Sequence, residues 1–379
     1  MHSDDVNPTD ATVNSTADAA AETEVSAAIA GVGAIPATPA AHAVPPAANR
    51  RMVRAQGQSN GVHKQREVSA PVPAASGGAA RDGAHREGAM RFDETGKVSL
   101  DHIYTQPDPH AYFSTLRRLD YVIPQLARPF FSQLIEERRA RLRRPPTVLD
   151  VGCSYGVNAA LLRCGLTMDD MYDRYGERDG EAPDRAVLLA RDRELVQARQ
   201  SRATPRFVGL DSSRPAVSYA RAAGFLDDAV CADLEERDPT EAERTVLAGA
   251  DFVVSTGCIG YVTERTIDRI ASASERSDRP WMAHFVLRMF SFDPFTEVLD
   301  ALGYDTVHVE GVFPQRRFAS AQEQQQVLDT LAAVGVDPRG LESDGWLYAR
   351  LHVSRPRHAP ARRTARAGHP ADSLIGRPG

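Results

Sequence analysis

Three acids, Asp150, Asp211 and Asp233, carry the chemistry this chain can do, because each lies at or just beyond the end of a short apolar run. In VLDVGCSYG, at 148–156, Val148, Leu149 and Val151 make a strand with Asp150 at its exit. Gly152 and Gly156 bracket a turn in which the backbone can come close to a ligand. A helix starting near Asn158 aims its free N–H groups at a carboxylate or phosphate lying across that turn. A nucleotide-like cofactor is implied.

The elements that must position these acids follow in order. FVGLDSS, at 207–213, reads as a second strand ending in Asp211, and PAVSYARAAG, at 215–224, as a helix with Ser213 as N-cap and a glycine stop. A third strand, at 229–231, leads into Ala232, Asp233 and Leu234, and a fourth, DFVVSTGCIGYV, occupies 251–262. WMAHFVLR ends at Arg288, TVHVEGVF leads to Gln315, Arg316 and Arg317, and WLYARLHV closes the series. Alternating strands and helices predict an α/β fold with a parallel sheet.

With these motifs in place, the chain resembles the class I S-adenosylmethionine-dependent methyltransferases over about two thirds of its length, from near Tyr104 to Arg355. The resemblance implies a seven-stranded, mostly parallel sheet with helices on both faces and the last strand antiparallel at the sheet edge. It implies S-adenosyl-L-methionine as cofactor. Asp150, Gly152, Cys153, Ser154 and Gly156 would hold its methionine part, Asp211 and Ser212 the ribose, Asp233 and Leu234 the adenine, with Thr256 beside them. Ser154 departs from the pattern, standing where a middle glycine is commoner, and residues 165–204 form an insertion where the family has a short connection. Met168, Met171, Tyr172 and Tyr175 fall at helical spacing, DGEAP makes a turn, and 187–202 forms a second helix. That apolar stripe reads as packing rather than as a substrate lid. A nicotinamide site is disfavoured, since Ser154 and Val157 replace two glycines of G-x-G-x-x-G and no second-strand acid follows about 20 residues on. No lysine followed by serine or threonine closes a phosphate-binding loop.

Composition sets the frame. Of 379 residues with a net charge of −6, the first 95 are rich in Ala, Pro, Gly and Ser and read as a disordered tail, and 356–379 as a basic, solvated one. The methyltransferase domain is expected over 96–355, its Rossmann-like core over 146–355, behind an N-terminal helical cap punctuated by Pro107, Pro109, Pro124 and Pro129. Tyr104 or Tyr112 of that cap would lie over the cofactor, as in related methyltransferases. No secretory signal or membrane span is evident, and four cysteines without paired metal spacing suit a reducing cytoplasm, with no metal site. Nucleic acid is not an expected partner.

For the acceptor, absences exclude several classes. STGCIGY, after the fourth strand, lacks the Asn/Asp-Pro-Pro-aromatic motif of amino-methylating DNA enzymes, and a carboxylate at that exit for metal-dependent catechol methylation. The paired acids of protein arginine methylation are also missing. A small-molecule acceptor remains. Arg288, Arg316 and Arg317 near strand exits suit an anionic acceptor, the alternative being ordinary salt bridges. Tyr261 and His284 are the candidate catalytic residues, Tyr261 orienting an acceptor or packing over the cofactor, and His284 serving as a base or as a hydrogen-bonded core histidine. The competing reading of the whole is a cofactor-binding protein of the same fold that has lost catalysis and serves as a regulator or partner.

Overall fold

A computed structural model describes residues 97–177, 184–274 and 279–357. The expected tails, up to residue 96 and beyond 357, and the DGEAP turn lie outside the described residues. Seven strands form one sheet: β1 (Thr147–Val151), β2 (Arg206–Asp211), β3 (Asp228–Cys231), β4 (Phe252–Thr256), β5 (Trp281–Leu287), β6 (Tyr304–Arg317) and β7 (Trp346–Pro356). Their order across the sheet is β3-β2-β1-β4-β5-β7-β6. The first five are parallel, and β7 runs antiparallel to both neighbours.

The central strands are apolar throughout because both faces are covered. On β1, Val148 joins one core while Leu149 and Val151 join the other; on β5, Trp281, Ala283 and Phe285 face the first core and Met282 and Val286 the second. This is the period-two alternation of a strand buried on both sides. The first core lies under α1 (Asp101–Tyr104), α2 (His110–Arg117), α3 (Ile123–Leu142), α4 (Val157–Cys164), α5 (Met168–Tyr175), α6 (Arg185–Arg199) and α7 (Arg214–Ala223). The second is covered by α8 (Glu241–Leu247), α9 (Glu264–Ser272) and α10 (Asp293–Ala301), while α11 (Ala321–Ala333) packs on a small third cluster.

Local chemistry sets the helix boundaries. Ser213 caps α7 by accepting from the Ala216 amide, and Gly224 ends it in the left-handed conformation at φ 84°. Thr167 and Asp170 form a reciprocal capping box at the start of α5, and Asp184 caps α6. Pro124 falls in the first turn of α3, but Pro129 does not interrupt it: the 20-residue helix runs on through that position.

The expected place of β7 needs one correction. It does not form the edge but is inserted between β5 and β6, so β6 is the edge strand. The signal was present in β6 itself: it carries Pro314, which donates no ladder hydrogen bond, it has register shifts after Val309 and Pro314, and its side chains alternate poorly between buried and exposed. Among the described residues no helix is long and apolar enough to cross a membrane.

Candidate functional site

A cavity of about 560 Å³ opens at the carboxyl ends of β1 to β4 and beside the end of β6, under a roof made by residues 97–124. Strand order reverses between β1 and β4, and ligands of open α/β sheets settle at such a point.

The turn after β1 has an unusual backbone. Gly152, Ser154 and Gly156 all have positive φ, at 68°, 49° and 77°, so every second residue is left-handed. At Gly152 a side chain is also excluded by space, since a Cβ would stand 2.6 Å from that of Cys258. Ser154 adopts the same conformation with a side chain, which explains why a glycine is commoner there. Its amide donates to Asp211 Oδ2 at 2.8 Å, and Asp211 Oδ1 accepts from the Ser213 amide at 2.8 Å. The second-strand acid therefore pins the first-strand turn. Burial nevertheless raises the Asp211 carboxyl above its ordinary range, against the pull of these bonds.

Gly152, Cys153, Ser154, Asp211, Ser212, Asp233, Leu234 and Thr256 all line the cavity. Asp150 and Gly156 do not. Asp150 is 1% exposed, accepts from Asn158 Nδ2 at 2.9 Å, and leaves Oδ2 without a partner; burial pushes its pKa up to about 7. Asn158, which does reach the cavity, also bonds Thr256 Oγ1 at 3.0 Å. Asp150 thus acts behind Asn158. Gly156 lies behind the turn, where a Cβ would meet Ala220 and Phe225 at 3.1 and 3.2 Å.

The other side of the cavity has a different character. Tyr104, Tyr112 and Tyr121 project from the roof, and Gln315 and Arg316 from the end of β6. Burial raises all three tyrosines, Tyr104 to about 12 in spite of Arg316 nearby, so their hydroxyls are neutral donors. Tyr112 and Tyr121 of the roof and Thr256 at the end of β4 line the same chamber. Glu235, on the rim, is held below the usual carboxylate range: burial opposes this, but Thr263 Oγ1, at 2.6 Å, the Thr263 amide and Thr266 all donate to it.

The three arginines do not gather into a clamp. Arg288 lies off the cavity wall, donating to Glu342 at 2.6 Å and to the Asp337 carbonyl at 2.8 Å. Arg317 pairs with Asp120 at 2.6 Å and lies 4.7 Å over the Trp346 ring, also off the wall. Arg316 alone reaches the cavity, and Glu323 accepts from both of its terminal nitrogens, at 2.7 and 3.0 Å. Adjacent residues of a strand face opposite ways, which separates 316 from 317. His284 is likewise not at the site: it is fully buried, its Nδ1 lies 2.8 Å from Ser255 Oγ, and burial lowers its pKa to about 3. It is a hydrogen-bonded core histidine. Tyr261 stands on the rim, 52% exposed, with Lys97 Nζ 4.1 Å above its ring.

Among the cavity residues without an assigned role in the sequence are Lys97, Tyr121, Asn158, Glu235 and Gln315. Asn158 and Glu235 each lie two residues beyond a motif already recognised, which was the available signal. The other three come from the roof and the edge strand.

Five parallel strands with the order reversed at β1 and an antiparallel β7 held between β5 and β6 decide the architecture. This is a Rossmann-like, doubly wound α/β fold, the architecture that the resemblance to class I methyltransferases implies. No family model and no curated protein matches the chain. Among solved structures, the plantazolicin methyltransferase BamL, with a triazolic desmethylPZN analogue and S-adenosylhomocysteine, is 12% identical at a TM-score of 0.35 and aligns over 68% of this chain and 100% of its own. A TehB-like methyltransferase of Corynebacterium glutamicum is 15% identical at 0.29 over 60% and 100%. The 1,6-didemethyltoxoflavin-N1-methyltransferase of Burkholderia thailandensis is 15% identical at 0.30 over 60% and 76%. These likenesses are distant.

Proposed function

We propose that this protein transfers a methyl group from S-adenosyl-L-methionine to a small, uncharged acceptor with hydrogen-bonding edges. The observation that carries the reading is a single cavity with two unlike halves. One is built from the left-handed turn, Asp211 and Asp233; the other is a chamber of neutral hydroxyls.

The first half fits the cofactor. Each Asp211 oxygen accepts one backbone N–H, which leaves lone pairs for a pair of hydroxyl donors. Ser154 Oγ is buried without a partner on the same wall, a polar atom suited to a ligand group. Asp233, exposed at the rim, keeps Oδ2 available while Oδ1 accepts from the Glu235 amide at 2.8 Å. When bound, the cofactor supplies a methyl group already activated on a sulfonium.

The second half argues for the acceptor class. Arg316 is balanced by Glu323 within the wall, and the three roof tyrosines are neutral, so none of these four offers an unpaired charge to an anionic acceptor. Tyr112, Tyr121 and Gln315 instead offer neutral hydrogen-bonding groups to orient it. No general base is assigned; the acceptor brings its own lone pair to the transfer.

Calorimetric titration with S-adenosylhomocysteine tests the reading. The protein is expected to bind it, and Asp211→Asn to bind it about 10- to 100-fold more weakly, the scale of losing hydrogen bonds to a charged group, about 1.5 to 3 kcal/mol. Absence of binding by the unmodified protein overturns the proposal.

A further inference from the structure

The insertion at 165–204 contributes no side chain to the cavity wall among the described residues, yet it grips the roof and the helix α3 that continues it at several points. The Met168 amide donates to Gln125 Oε1 at 2.8 Å, Arg128 donates to the Leu166 carbonyl at 3.1 Å, and His110 Nδ1 lies 2.7 Å from the Tyr175 carbonyl. Phe113 stacks flat on Tyr175, ring centroids 4.7 Å apart. The Tyr172 hydroxyl donates to the carbonyl of Tyr121, whose side chain is in the chamber.

That last contact falls on a strained turn. Asp120 has φ 50°, a left-handed conformation for a residue with a side chain, and it throws Tyr121 inward. Such a turn persists only where its surroundings hold it. One side is held by β6: the Val122 amide donates to the Gln315 carbonyl at 2.9 Å, and the Arg317 amide to the Leu119 carbonyl at 2.7 Å. The other side is held by Tyr172. The chamber tyrosine is therefore clamped between the edge strand and the insertion.

We propose that the insertion is a buttress that positions Tyr121 in the chamber it shares with Tyr112 and Thr256, and that Tyr172 is its principal positioning residue. Calling the space they line an acceptor chamber rests on the methyltransferase reading; the buttress itself does not.

Amide hydrogen exchange of the full chain without any ligand is the test, comparing the unmodified protein with Tyr172→Phe and Tyr175→Phe. Tyr172→Phe removes only the hydroxyl, so exchange at 119–122 is expected to rise several-fold, with the sheet strands unchanged. Tyr175→Phe loses a bond to Asp192 inside the insertion, at 2.8 Å, and is expected to raise exchange in 185–199 instead. Unaltered exchange at 119–122 in Tyr172→Phe, or a uniform rise across the chain, overturns the proposal. If Tyr172→Phe does not fold, Arg128→Met, which cuts the tie to Leu166, is expected to raise exchange at the same roof segment, and its failure to do so is equally decisive. A companion titration with S-adenosylhomocysteine keeps the two readings apart: a protein that fails to bind it defeats the methyltransferase reading and leaves the exchange result standing.

Discussion

Replacing Asp150 by Asn should alter how the protein's stability responds to pH. Asp150 is fully buried, one oxygen accepts from Asn158, the other has no partner, and burial carries its pKa from 3.8 to about 7. Below about pH 4 the carboxyl is protonated in the folded and unfolded chains alike, so it contributes no pH dependence. As pH rises from about 4 to 7, the unfolded chain gives up this proton while the folded chain keeps it, and folding stability falls; above about 7 the loss is complete. About three pH units at roughly 1.4 kcal/mol each bound the loss at about 4 kcal/mol. Asn resembles the protonated acid in shape and charge and can still accept from Asn158. Urea unfolding of both proteins at half-unit intervals from pH 4.5 to 8 should therefore give curves that start close together and diverge, the variant being the more stable at pH 8. Other acids add the same slope to both, so the difference isolates this one. Parallel curves would refute the argument from burial. Affinity for S-adenosylhomocysteine should change only a few-fold, because Asn158 keeps its place on the cavity wall.

Two further substitutions probe the turn. Ser154→Gly removes the left-handed strain of a side-chain-bearing residue, about 1 to 2 kcal/mol, against about 0.5 to 1 kcal/mol of added backbone freedom in the unfolded chain. A net gain of up to about 1 kcal/mol is expected in urea unfolding, and a loss would mean the hydroxyl has a structural partner. Gly209→Ala on β2 places a Cβ 2.5 Å from Cys153 Sγ and 2.6 Å from Leu226 Cδ1, so about 1 to 3 kcal/mol of stability should go, together with affinity for S-adenosylhomocysteine. Adding Cys153→Ala should restore part of both, and a strictly additive double mutant would show that the glycine does not serve the turn.

The legible part of the site was the part built from adjacent residues. Gly152, Ser154, Asp211 and Asp233 belong to strand-to-helix turns, where backbone geometry and strand direction together dictate that the residue after a parallel strand opens toward the same sheet edge. The helix stop at Gly224 and the cap at Ser213 were equally local. The other half of the cavity was not of this kind. Tyr121 enters the cavity through a left-handed Asp120 and two long-range clamps, and Gln315 through the bulged end of an edge strand, neither of which leaves a periodic trace.

The chain order of residues thus determined the strands, the turn and the acids at the strand ends, since these follow from hydrophobic period, glycine freedom and short-range capping. Tertiary structure alone decided that β7 enters between β5 and β6, that Arg288 and Arg317 turn to Glu342 and Asp120, and that Arg316 is neutralised by Glu323. An arginine's partner depends on which carboxylates the fold brings within reach of its long side chain, and that is a matter of packing between distant segments rather than of spacing along one.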